Sequence, residues 1–276
     1  MSVRQATVAG TFYPRNAGEI NSLLDKILAV EKKKIKEKLT PKKIIGGIVP
    51  HAGYVYSAKE AVHFFDYLKE YKQKIDTFII INPSHIGTSE EISFDTHDAW
   101  NTPLGIVDLD VEFMDFINIP KASDSQAGEH AAEVIIPYLQ FFLDYTFKIV
   151  PITMRKQSYK TARALAEKIY KANQVIKRNI ALIASTDFSH YVRPEVGFYN
   201  DNLVINRILN NSIRGLYDTI HENNISVCGY GPIMTLMFYA RMINANYKVE
   251  ILARGNSSKK SKKELVVDYV SALFYS

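Results

Sequence analysis

The stretch Ile44-Ile45-Gly46-Gly47-Ile48-Val49-Pro50-His51 decides the fold. It is a short apolar, β-branched run, then a turn residue, then a histidine. The pattern returns in Phe78-Ile79-Ile80-Ile81-Asn82-Pro83-Ser84-His85 and in Ala181-Leu182-Ile183-Ala184-Ser185-Thr186-Asp187-Phe188-Ser189-His190. Such runs suit strands buried on both faces of a mainly parallel sheet. In open α/β sheets the ligand crevice lies beyond the carboxyl ends of the strands. Three of the 7 histidines therefore fall where that architecture puts its chemistry. A lone histidine there is more often a strand cap. Three in one context point to a shared site of convergent polar groups.

Around these strands the chain alternates. Ala9-Gly10-Thr11-Phe12-Tyr13-Pro14 is an irregular lead-in. Ile20, Leu23, Leu24, Ile27 and Leu28 mark one buried helix face, with Pro41 as its stop. Gly46-Gly47 predicts close backbone approach or a bulge. Ser57 is expected to cap a helix carrying Ala61, Phe64, Phe65 and Leu68, with His63 packed or exposed within it. A loop holding His97, Asp95, Asp98 and the single Trp100 is expected to be solvated, or to form a wall or lid. Val111–Ile117 is a short helix. Glu129 and Glu133 are expected on one helix face, as an acidic first turn, with Pro137 kinking or shortening that helix. A strand over 147–152, an amphipathic helix through Ala162, Leu165, Ile169 and Tyr170, two further helices, and a helix over 233–243 opened by Pro232 follow. Strands over 247–253 and 265–273 close the chain as an antiparallel hairpin. The result is one α/β domain over residues 1–276, with a mixed, mainly parallel central sheet flanked by helices.

Bulk properties exclude several classes. The 276 residues carry 47% hydrophobic content and no apolar run that would span a bilayer. Residues 1–8 lack the apolar core of a signal peptide, and one cysteine allows no internal disulfide, so a reducing, cytoplasmic setting is expected. The net charge of +5 sits largely in two lysine runs, over 31–38 and 257–263. Neither is interleaved with stacking aromatics, so nucleic acid is not the expected partner.

Cys228 precedes a helix start, a position that lowers a thiol's pKa and favours thiolate. Two imidazoles and a thiolate can hold a borderline or soft divalent metal and leave a coordination position open. His51, His85 and Cys228 are the candidate set. Asp187 and His190, three apart, are the candidate orienting carboxylate and proton-moving imidazole. Tyr54, Ser189 and Tyr191 are candidate rim donors for a substrate. No G-x-S-x-G elbow supports a hydrolase.

With these residues in hand, the chain resembles the Memo family, called AmmeMemoRadiSam system protein B in prokaryotes. The resemblance covers nearly the whole chain. It rests on the lead-in motif, Pro50-His51-Ala52-Gly53-Tyr54, Asn82-Pro83-Ser84-His85, Thr102-Pro103-Leu104-Gly105, Glu129-His130, Ser185-Thr186-Asp187-Phe188-Ser189-His190-Tyr191 and Cys228-Gly229. Where the family often has Ser-x-Glu after Glu129-His130, this chain has Ala131-Ala132-Glu133. The resemblance implies the architecture of LigB-like class III extradiol dioxygenases, which hold non-haem iron by two histidines and a glutamate. Here it implies His51, His85 and Cys228 as ligands of iron, copper or zinc, readily lost on aerobic purification. It also implies His190 with Asp187 beside the metal, and either an oxidoreductase or an adaptor that takes a small molecule or a peptide, such as the phosphotyrosine peptide bound by the animal member. Radical SAM and AMMECR1-like proteins are the partners it implies.

Overall fold

Strands that are apolar on both faces need cover on both sides, and the chain supplies it. The computed structural model describes residues 1–35, 43–259 and 264–276. Pro41, residues 36–38 of the first lysine run and residues 260–263 of the second lie outside the described residues. The elements in chain order are β1 (Val3–Arg4), α1 (Ala17–Glu31), β2 (Ile44–Val49), α2 (Tyr54–Glu70), β3 (Thr77–Pro83), β4 (Ile92–Phe94), β5 (Ala99–Thr102), β6 (Gly105–Asp108) and α3 (Val111–Ile117). They continue with α4 (Ile136–Phe142), β7 (Lys148–Met154), α5 (Tyr159–Ile176), β8 (Ile180–Ser185), β9 (His190–Val192), α6 (Pro194–Leu209), α7 (Ile213–Glu222), α8 (Tyr230–Ile243), β10 (Lys248–Asn256) and β11 (Val266–Tyr275).

The large sheet runs β10-β11-β2-β8-β3-β7-β4, with β9 pairing β11. Its centre, β2-β8-β3-β7, is parallel, and β4, β10 and β11 add antiparallel pairs at the two sides. Every residue of β2, β3 and β8 is buried, as their continuous apolar runs require. Helix α2, with α1 and α4 against it, packs on β2, β10 and β11. Helix α8, with α5 against it, packs on β2, β3 and β8. Strands β1-β5-β6 form a separate small sheet, with β6 packed against β7 of the large one.

Gly46 and Gly47 mark close approach, as expected. A Cβ on Gly46 would lie 2.0 Å from the Leu182 carbonyl oxygen of β8, and one on Gly47 would lie 2.2 Å from the Phe64 ring of α2. No side chain fits either place.

Several boundaries differ from the sequence reading. Helix α2 begins at Tyr54, so Ser57 lies inside its first turn and donates to the Ala52 carbonyl at 2.9 Å instead of capping. The Tyr54 N–H is spent on the Phe12 carbonyl at 2.7 Å, which ties the helix start to the lead-in segment. Glu129 precedes any helix, and Glu133 opens a 3-10 turn, so the two share no helix face. Pro137 sits in the first turn of α4, where its missing donor is not needed, and kinks nothing. Trp100 is no lid. It is buried in β5 beneath the Arg4 guanidinium, 4.2 Å from its ring, and donates to Asp95 at 2.7 Å. His97 pairs with the same Asp95 at 3.0 Å, and His63 packs against Glu31 at 3.3 Å.

Candidate metal centre

Because β2, β8 and β3 are adjacent and parallel, their carboxyl ends open on the same side. They deliver His51, Asp187 and His85, and the loop before α8 brings Cys228 to meet them. These residues line a crevice of about 1260 Å³ with Phe12, Tyr56, His130, His190, Tyr191 and Tyr269. The ligand atoms of His51, His85 and Cys228 all lie within 4.8 Å of one another. The sequence-derived trio is therefore one cluster in space.

Hydrogen bonds settle which nitrogen each ring presents. Ser185 Oγ donates to the Ala131 carbonyl at 2.6 Å, so at His51 Nδ1, 2.9 Å away, it must accept. His51 is thereby the Nδ1–H tautomer. Its Nε2 lone pair faces Cys228 Sγ at 3.3 Å. His85 Nδ1 lies 3.0 Å from Glu129 Oε1, which as a carboxylate can only accept. His190 Nδ1 lies 2.7 Å from the Ser226 carbonyl, again an acceptor. In the neutral form of each ring the proton therefore sits on Nδ1 and the lone pair on Nε2. Outer oxygen partners of this kind are what orient metal-binding histidines.

For two of the crevice imidazoles electrostatics favour the neutral ring. Burial, then the neighbouring imidazoles, holds His51 well below the usual histidine range. Burial likewise takes His130 down to about 4, against the pull of Glu129. Burial works to raise the Glu129 carboxyl, but the His85 ring and backbone donors outweigh it and hold it below the usual range. Burial, opposed by the N–H donors of His51 and Ala52, lifts Asp187 to about 6.

Cys228 departs from the sequence expectation. Burial, then the Asp187 charge, pushes its thiol up to about 12. Desolvation outweighs the nearby helix end, so the protein alone does not favour thiolate. A bound cation would, since a coordinating thiol is deprotonated outright. Two neutral imidazoles and one thiol at this spacing fit a borderline or soft metal with a position left open.

The other candidates divide. Asp187 and His190 both line the crevice, but they are not a hydrogen-bonded pair: Asp187 Oδ1 accepts from the His51 and Ala52 N–H groups at 2.9 and 3.3 Å, and His190 takes Ser226. Tyr191 stands at the mouth, 75% exposed, with φ +54°. Such a left-handed conformation is costly for a tyrosine and tends to be kept where function needs it. Tyr54 and Ser189 face elsewhere. Tyr54 is buried, donates to the Val134 carbonyl at 2.8 Å and stacks on Tyr138. Ser189 is buried and donates to Asp201 at 2.7 Å.

Sequence reasoning passed over Glu129, His130 and Ser185. The only available signals were the Glu129-His130 pair in the resembling motif and a serine at the end of β8. It also missed why the lead-in matters. Glu133 accepts from Arg4 at 2.6 Å, from the Thr7 and Val8 N–H groups at 3.0 Å and from Tyr13 at 2.8 Å. This buried anchor holds the lead-in so that Phe12 forms one crevice wall.

A family model described as Memo-like protein matches residues 4–273. A MEMO1 family protein of Methanosarcina barkeri, Mbar_A1422, is 35% identical over 277 residues, covering 98% of this chain and 99% of its own length. One from Archaeoglobus fulgidus is 35% identical over 278 residues, covering 99% of each chain. One from Saccharolobus solfataricus, SSO0066, is 38% identical over 234 residues, covering 82% of this chain and 81% of its own. Among solved structures, the uncharacterized protein JW3007 of Escherichia coli K12 shares the fold, with a TM-score of 0.53 at 12% identity over 84% of this chain and 99% of that one. No helix among the described residues is long and apolar enough to cross a membrane.

Proposed function

This chain belongs to the Memo-like family, and on that premise we propose that its crevice is the active site of a metal-dependent oxidoreductase. The observation that carries the reading is the cluster of His51, His85 and Cys228 with its outer oxygen partners. His51 and His85 would offer Nε2 and Cys228 its thiolate. Iron or copper is the metal this set suits best, and zinc fits the geometry without the redox chemistry. When bound, such a metal supplies Lewis-acid polarisation and a redox couple.

The chain's own residues supply the rest. His190 is held at Nδ1 by the Ser226 carbonyl, so its neutral ring turns the Nε2 lone pair to the crevice and is suited to take a proton from a bound ligand. Asp187 fixes the turn after β2 by accepting two backbone donors, and so holds the His51 backbone in place. Phe12, Tyr56 and Tyr191 form an aromatic entrance suited to a flat or apolar ligand.

The test is anaerobic loading with Fe(II), Cu(I) or Zn(II), then oxygen uptake against a panel of small organic substrates. His190→Asn is expected to keep its metal and lose turnover at least 100-fold. Equal turnover in His190→Asn and wild type would contradict the role given to His190. No turnover by any loaded form would favour a second reading, an adaptor that docks a peptide. Exposed aromatic side chains support that alternative: Tyr191 at the crevice mouth is 75% exposed, and Phe198 and Tyr199 of α6 are 59% and 64% exposed.

A further inference from the structure

We infer that Glu129 is a positioning carboxylate shared by two imidazoles, not a metal ligand, and that it leaves His130 as a hydrogen-bond acceptor for the crevice ligand. This rests on the metal-centre reading above. By proximity alone His85, Glu129 and His130 could form a second metal group, since their ligand atoms also lie within 4.8 Å of one another. The hydrogen bonds argue otherwise. Glu129 is fully buried. Its Oε2 accepts from the His85 N–H at 2.6 Å, and its Oε1 from His85 Nδ1 at 3.0 Å and from the His130 and Ala131 N–H groups at 3.0 and 3.1 Å. A carboxylate has about four lone-pair sites. Three of the donors sit on Oε1, which has two of these sites, so a metal at Oε1 would strand at least one buried backbone N–H.

His130 Nδ1 lies 3.2 Å from the same Oε1. A ring lone pair so close to a negative oxygen would be repelled, so Nδ1 carries the proton. That leaves Nε2 as an acceptor with no protein partner among the described residues. Phe12 lies against the ring, centroids 4.4 Å apart, and limits its turning. The His130 ring is 4.7 Å from that of His85 and 5.3 Å from that of His51, so its free nitrogen borders the proposed metal position. The ligand class that fits carries an O–H or N–H next to its metal-binding atom.

Two measurements test this. The first is a long-range ¹⁵N–¹H correlation spectrum of the metal-free full chain, with His85 and His130 assigned by substitution. Both rings are expected as Nδ1–H tautomers. An Nε2–H tautomer at His130 would overturn the inference whatever the metal does. The second uses Co(II)-loaded protein and two probes followed by visible absorption. Acetohydroxamate brings a hydrogen-bond donor beside its metal-binding oxygens, and azide brings none. His130→Ala is expected to weaken acetohydroxamate about tenfold, to leave azide within threefold, and to keep one metal per chain. Equal effects on both probes, or two metals in wild type falling to one in His130→Ala, would overturn it. Failure of wild type to bind cobalt at all would contradict the metal-centre reading and leave the tautomer result to judge Glu129 alone.

Discussion

Cys228 Sγ lies 3.3 Å from His51 Nε2, although 177 residues separate them along the chain. One comes from the end of the second strand and the other from the entrance to the last helix. Only the parallel order β2-β8-β3, with α8 laid across those strands, brings them together. The thiol is raised by burial to about 12, so the pair is a poor match for an unliganded protein and a good one for a cation between them.

Ser185 reaches the metal position only through His51. Removing its hydroxyl takes away the acceptor that fixes the Nδ1–H tautomer. Ser185→Ala is expected to fold normally and to lose metal affinity by about 10- to 100-fold, the range for outer partners of ligating histidines. Chelator competition checks this. Unchanged affinity would mean that the His51 ring is oriented by packing alone.

Glu133 is the buried anchor of the lead-in. In Glu133→Ala the Arg4 guanidinium stays buried without its charge partner. The expected loss is about 3–5 kcal/mol of stability, measured by urea unfolding. Metal-centre residues are not altered by this change, so a variant that keeps full stability would refute the anchoring role directly.

Asp201 and Asp268 are buried together where α6 meets β11. Burial, then the Asp201 charge, pushes Asp268 up to about 7. In the unfolded chain a carboxyl titrates near about 3.9. The folded state therefore holds this proton more tightly. Its contribution to stability is full below about pH 4 and is lost as the pH rises to about 7. Asp268→Asn should flatten that decline and stabilise the protein by on the order of 1 kcal/mol at about pH 8, allowing for partial solvation. Urea unfolding across this window checks it. A slope as steep in the variant as in wild type would sink the assignment.

Most of the fold was legible because its signal is local. Continuous apolar runs ending in turn residues mark buried parallel strands, and strand ends predict where a crevice opens. His51, His85 and Cys228 followed from that placement and from the chemistry of their side chains. What failed depended on direction or on distant partners. Ser189 precedes His190, yet its side chain turns to Asp201 in α6 while His190 lines the crevice. Tyr54 follows the His51 turn but is already the first residue of α2, facing Tyr138. The Cys228 thiol differs from the sequence expectation because a helix start is visible in a sequence, whereas burial and the nearby Asp187 charge are not. Glu129 looked like an ordinary acidic first turn because its partner, His85, lies 44 residues away.

On the proposed reading His190 stands beside the metal position and outside its ligand set. His190→Asn should bind metal within about threefold of wild type, read by the same chelator competition, because its ring is held by Ser226 and not by the cluster. A loss as large as that of a ligand variant would move His190 into the coordination shell.

The central claim is that the histidines after β2 and β3 and the thiol before α8 hold one metal ion between them. Metal content after anaerobic reconstitution and gel filtration tests it most directly. Wild type should retain one iron or copper per chain, and Cys228→Ser and His51→Ala, folded by circular dichroism, should retain well under half of that. Equal retention in all three, or none in wild type, would contradict it.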